Sequence, residues 1–144
     1  MSNVTLAQAN MIVAAALAKA REKSFDPLTV AVLDSGGHVV AAQREDQSGI
    51  LRYEIAVAKA FGSLGFGFGS RTLATRAAKV PMFFTAVSSV ADGRMVPVPG
   101  GVLIRNAGNE IIGAVGISGD TGDNDEISAV HGIEAAGLKA DAGA

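Results

Sequence analysis

"VLDSGGHVVAAQRED", Val32 to Asp46, sets two runs rich in Val and Ala on either side of Ser35-Gly36-Gly37. Such runs broken by a glycine pair are the pattern of an antiparallel hairpin, because the turn needs positive φ angles that glycine adopts without strain. The strands are expected over Leu28 to Asp34 and His38 to Gln43. Asp34 and Ser35 can bond the backbone of the turn, which accounts for both without chemistry. His38 beside the turn is less easily explained: it is either a solvated or hydrogen-bonded turn residue or a ligand.

Upstream, Thr5 and Gln8 have capping-box spacing, and Leu6, Ala9, Ile12, Val13, Ala16, Leu17 and Ala20 recur at helical spacing. Downstream, Ser48-Gly49 can open a second helix carrying Leu51, Ile55, Ala58 and Phe61 on one side. The glycine-rich "GSLGFGFGS" from Gly62 to Ser70 follows that helix, whereas a phosphate or dinucleotide loop follows a strand. Ser70 can cap a third helix running to Val80, ended by Pro81. "MFFTAVSSV" is ambiguous between buried helix and strand. "VPVPGG" cannot be helical, and Val102 to Arg105 with Glu110 to Ile117 make a second hairpin around Asn-Ala-Gly-Asn. Asp123 and Glu126 are spaced as a capping box for a last helix to about Leu138, with a frayed Gly and Ala tail beyond it. Helices mixed with antiparallel hairpins give an α+β layer fold, a central sheet covered by helices.

The 144 residues, 49% hydrophobic and 18% charged, suffice for one domain with a core, ordered from about residue 4 to 138. A net charge of -2 with scattered Lys and Arg argues against nucleic acid as a partner. Zero cysteines exclude disulfides, thiolate zinc sites, iron–sulfur clusters and a cysteine nucleophile. The apolar N-terminal run lacks a basic leader and is broken by Gln8 and Asn10, so it reads as a helix of a cytoplasmic protein and not as a membrane segment. A mean hydropathy of +0.33 and 18 glycines predict a homo-oligomer that hides apolar surface against its own copies.

Two stretches of small residues, Pro99-Gly100-Gly101 and Gly116-Ile117-Ser118-Gly119, can bring backbone amides to a ligand carboxylate, or can simply permit tight turns and close contacts. Lys59 in "EIAVAKA" can hold a substrate carboxylate or pair with Glu54, Asp34 or another acid. Asp120, Asp123, Asp125 and Glu126 invite a metal, but they lack calcium-loop spacing and suit a helix N-terminus. Two histidines without cysteine make a closed zinc site unexpected, and His131 reads as a packing residue. No Ser-His-Asp, G-x-S-x-G or HExxH pattern specifies a reaction.

The motifs "VAVLDSGGHVVAAQRED", "EIAVAKA", "PGGVLIR" and "GAVGISGDTGDNDE", in that order, resemble the GlcG/HbpS family from about Leu6 to Leu138. The resemblance implies a profilin-like fold with a five-stranded antiparallel sheet, assembly into dimers and commonly octamers, and a relation to the C-terminal domain of PduO. It also implies haem binding, with haem degradation or redox sensing in some members and small-molecule catabolism in others. Arg44-Glu45-Asp46 stands where the family often has Arg-Met-Asp, and the secretion signal of extracellular members is absent. Haem needs an axial donor, an apolar slot and cations for its propionates. His38 can be the donor, Phe83, Phe84 and Met82 the slot, and Arg44, Arg71 or Arg76 the cations. The alternative is a cofactor-free enzyme or binding protein for a small hydroxy or aromatic acid. That reading uses Gly100, Gly101, Ser118 and Gly119 as the anion site, with Lys59, Arg44, His38 and Asp34 as polar groups. A third reading is an oligomeric accessory protein whose motifs encode only turns and interfaces.

Overall fold

A computed structural model describes residues 2–144. The order is α1 (Leu6–Glu22), β1 (Thr29–Asp34), β2 (Val39–Arg44), α2 (Arg52–Phe66), α3 (Ser70–Lys79), α4 (Pro81–Val90), β3 (Gly101–Arg105), β4 (Ile111–Ser118), α5 (Gly122–Ala135) and β5 (Lys139–Asp141). The strands form one antiparallel sheet in the order β2-β1-β4-β3-β5. The fold is thus α+β, with five strands and five helices among the described residues.

The period of two along each strand sorts the sheet into two faces. Val30, Val32, Val102, Ile104, Val115 and Ile117 pack against Ile12, Val13 and Ala16 of α1 and Ala129 and Ile133 of α5. Leu33, Leu103 and Ala114 point the other way, toward Val57, Ala60, Phe61 and Leu64 of α2. This second face is built of small residues so that α2 can lie close. A Cβ at Gly116 would overlap the carbonyl oxygen of Ala56, and one at Gly101 would overlap that of Lys59. The apolar N-terminal run is α1 itself, its Ala9, Ile12, Val13, Ala16 and Ala20 buried in the core. No helix among the described residues is long and apolar enough to cross a membrane.

Several local expectations are corrected. Ser48 does not open α2; its hydroxyl hydrogen-bonds that of Thr29 at 2.8 Å, and the helix starts at Arg52. Gly62 and Gly65 are helical, and α2 ends only at Gly67, whose φ of +75° is the left-handed conformation that favours glycine. Ser70 lies inside α3, its hydroxyl donating to Val98 O and accepting from Gly101 N, both at 2.7 Å. Pro81 ends α3 and opens α4 at the first helical turn, where its missing N–H costs nothing, so "MFFTAVSSV" is helix. Thr121 caps α5 through Asn124 N, whereas Asp123 and Glu126 both engage Arg71. The helix stops at Ala135, and the tail, expected to fray, pairs as β5 on β3 with Arg105 held by Asp141 at 3.0 Å.

Candidate ligand site between α2 and α4

At the first hairpin, Asp34 Oδ1 accepts from Gly36 N and His38 N, both at 3.0 Å, and contacts His38 Nδ1 at 3.2 Å. Burial pushes the Asp34 carboxyl up, but the amides of His38 and Gly36, then the imidazole, outweigh it and hold it below its ordinary value. A carboxylate only accepts, so Nδ1 is the donor in this contact and Nε2 is the ring nitrogen that it leaves uncommitted. The imidazole is 81% exposed. Asp34 and His38 are therefore one unit, as their spacing of four across a turn allows.

Behind this turn stands α2. Gly37, with φ +84°, packs so near Phe61 that a Cβ there would fall 2.8 Å from the ring. Ser35, Gly36 and Gly37 share a cavity of about 140 Å³ with Phe61, Leu64 and Gly65. Phe61 and Gly65 also wall a larger groove of about 360 Å³, completed by Phe66, Val87, Val90, Arg94 and Met95. Nearly all of this lining is apolar. The Arg94 guanidinium lies 3.9 Å over the Phe61 ring, its Nε donates to Ala91 O at 3.1 Å, and it has no carboxylate partner among the described residues.

The expected residues are only partly brought together. Phe83 and Phe84 open onto a neighbouring cavity of about 310 Å³, joined to the groove through Phe66 and lined also by Arg76, Lys79 and Val80. Met82 is 85% exposed, and Arg71 is committed to Asp123 and Glu126. Arg44 lies at the far end of β2, about 20 Å from His38 at roughly 3.3 Å per strand residue. It lines a separate cavity of about 450 Å³ with Arg21, Gln43, Glu45 and Asp46, where Arg21 already pairs with Glu45 at 3.0 Å. His131 is exposed on α5.

Lys59 and the glycine stretches form a closed internal arrangement. Lys59 Nζ contacts Asp125 Oδ2 at 3.1 Å and donates to Ile117 O at 2.9 Å, the Lys59 and Asp125 side chains only 4% and 1% exposed. The Asp120 amide donates to Asp125 Oδ1 at 3.0 Å. Burial pulls the Lys59 ammonium down, opposed by Asp125, and pushes the Asp125 carboxyl up, opposed by Lys59. A Cβ at Gly100 would fall 2.8 Å from Lys59 Nζ, and the Gly101 amide is spent on Ser70. Ser118 is fully buried with its hydroxyl taken by Arg52 at 3.1 Å, and Gly119 packs on Pro27 and Leu28. These positions are filled by protein groups, with Asp125 as the anion that Lys59 holds. Among the described residues, no three His, Asp or Glu side chains converge as a metal set.

Residues 4–134 match the family model described as "Haem degrading protein HbpS-like". The chain belongs to the HbpS-like family. An "uncharacterized 15.0 kDa protein in dhaT-dhaS intergenic region" of Citrobacter freundii is 30% identical over 93% of this chain and 92% of its own length. HbpS of Streptomyces reticuli, solved as a double mutant, is 26% identical, with a TM-score of 0.81 over 93% of this chain and 87% of that one. PduOC, crystallised as its haem complex, is 20% identical, with a TM-score of 0.84 over 94% and 96% of the two chains, a likeness of fold alone. In this HbpS-like chain the groove residues Phe61, Phe66, Val87, Arg94 and Met95 went unread as a site. The signal present was the i,i+4 pair Phe61 and Gly65, an aromatic one turn from a gap on α2.

Proposed function

We propose that this HbpS-like chain binds haem, or a closely related tetrapyrrole, in the groove between α2 and α4, with His38 as axial donor from its hairpin end. The observation that carries this is an apolar groove bearing an arginine without a carboxylate partner among the described residues, whose Phe61 and Gly65 also line the small cavity under the hairpin that carries His38. The residues fit the group. Phe61, Phe66, Val87, Val90 and Met95 offer the apolar wall a macrocycle needs. Arg94 offers a guanidinium free to take a propionate. Asp34 fixes the tautomer and strengthens the imidazole as a donor, the usual work of a carboxylate behind a metal-bound histidine. The family description, which names haem degradation, and the haem complex of PduOC support the same reading. Bound haem supplies iron for oxygen chemistry, and with it a route to haem breakdown, while this chain holds and orients it.

The same reading makes the protein a cytoplasmic homo-oligomer, between dimer and octamer. Supporting it, Ile50, Leu51, Met82 and Val90 are 66–88% exposed, more apolar surface than an isolated subunit comfortably leaves in water. The run that could pass for a secretion signal is the structural helix α1.

The test is a haem titration of the purified protein at the Soret band, beside His38→Ala and Arg94→Gln. Saturable binding is expected, with His38→Ala altering the Soret position and Arg94→Gln weakening affinity about tenfold, the loss of one charged hydrogen bond. Non-saturating binding, indifferent to both substitutions, would contradict the proposal.

A further inference from the structure

We propose that the cavity between α3 and α4 is a separate site for a small aryl carboxylate, held by Arg76 and Lys79 and by the rings of Phe66, Phe83 and Phe84. Two features of its lining point to this ligand class. The first is charge. Arg76 and Lys79 stand three residues apart on α3, hence side by side, and both line the cavity. Among the described residues neither has a carboxylate partner, and no acidic one lines the cavity. Two uncompensated cations beside an apolar wall, in a chain of net charge -2, leave the anion to be supplied from outside. Arg76 is also held ready: its guanidinium lies 4.3 Å over the Phe68 ring, which fixes the fork while leaving its N–H groups for a carboxylate.

The second is the wall itself. Phe66, Phe83 and Phe84 sit with ring centroids 5.5–6.3 Å apart, and Phe83 meets both neighbours edge to face. A fourth ring entering with its carboxylate toward Arg76 and Lys79 would extend the same edge-to-face pattern. The volume, about 310 Å³, is at the small end of ligand sites and suits one substituted ring. The site shares only Phe66 with the proposed haem groove, so it does not rest on that reading.

Equilibrium dialysis of the intact protein with labelled benzoate tests it, with benzamide and acetate as controls for charge and ring. Benzoate should bind saturably and at least tenfold more tightly than either control, and more weakly as salt rises. Arg76→Gln and Lys79→Gln should each cost about tenfold in benzoate affinity, and Arg76→Lys less. Haem titration and sedimentation mass should be unchanged in all three variants. The proposal is overturned if benzoate binds no better than its controls, or if the Gln variants keep wild-type affinity. It is equally overturned if those variants change the assembly mass, since the cavity would then be a subunit contact.

Discussion

Replacing Lys59 by methionine removes the one cation facing a carboxylate that is only 1% exposed, and the consequence can be worked out from the contacts. Asp125 loses its ion pair at 3.1 Å and keeps only the Asp120 amide at 3.0 Å. Stranding a buried charge in this way costs about 3–5 kcal/mol. With an unfolding entropy of about 2.1 cal/mol/K per residue, 144 residues give about 0.3 kcal/mol/K, so Tm should fall by about 10–17 °C. The loss should also depend on pH. Burial already raises the Asp125 carboxyl above its ordinary value of 3.8, and the variant removes the lysine that opposes that rise. The native state then holds a proton that the unfolded state releases, so the variant's stability falls as pH climbs from about 4 through the raised native value. The deficit relative to wild type should thus be smallest near pH 4 and widest at neutrality. Lys59→Met with Asp125→Asn removes the stranded charge and keeps an acceptor for the Asp120 amide, so it should recover more than half of the loss. Thermal melts at fixed protein concentration, from pH 4 to 8, read all of this. A single-variant loss under about 1 kcal/mol, or one that does not vary with pH, would refute the reasoning.

Other consequences follow from single contacts. Gly116→Ala places a methyl on the Ala56 carbonyl and should cost about 3 kcal/mol or more, seen as a lowered urea midpoint. Asp120 is held below the ordinary carboxylate range by the amides of Asp26 and Thr121, so its stabilisation is present above about pH 4 and lost as pH falls through its native value. Acid titration of Asp120→Asn should therefore show a shallower loss of stability below pH 4 than the wild type. His38→Ala removes an exposed ring and should change unfolding free energy by no more than about 0.5 kcal/mol, which separates its ligand role from a structural one.

The hairpins and α1 were legible because their signals are local: glycine at Gly36-Gly37, apolar runs bounded by turn residues in β1 and β4, the Thr5 and Gln8 box. What was not legible depends on partners far along the chain. Asp123 and Glu126 look like a cap until Arg71, more than fifty residues earlier, is brought beside them. Ser70 looks like a cap until β3 supplies Gly101 N. The tail looks frayed because three residues carry no periodicity, and only the free edge of β3 makes Lys139–Asp141 a strand. For the site, sequence found His38 and Asp34 as one turn but not what lies behind it. The groove is made by α4, whose apolar residues leave helix and strand equally open, and by Arg94, one of several scattered cations.

Gly65 offers the most direct test of haem binding in the groove. It lines both the groove and the small cavity under the hairpin, and a Cβ there meets nothing within 4 Å. Leucine at this helical position should stabilise the fold by about 0.5–1 kcal/mol through helix propensity while its side chain occupies the space assigned to the ligand. Haem titration of Gly65→Leu, run beside its thermal melt, should give a protein at least as stable as the wild type that has lost saturable Soret binding. A Gly65→Leu protein that is folded and binds haem as the wild type does would place the ligand elsewhere and contradict the account.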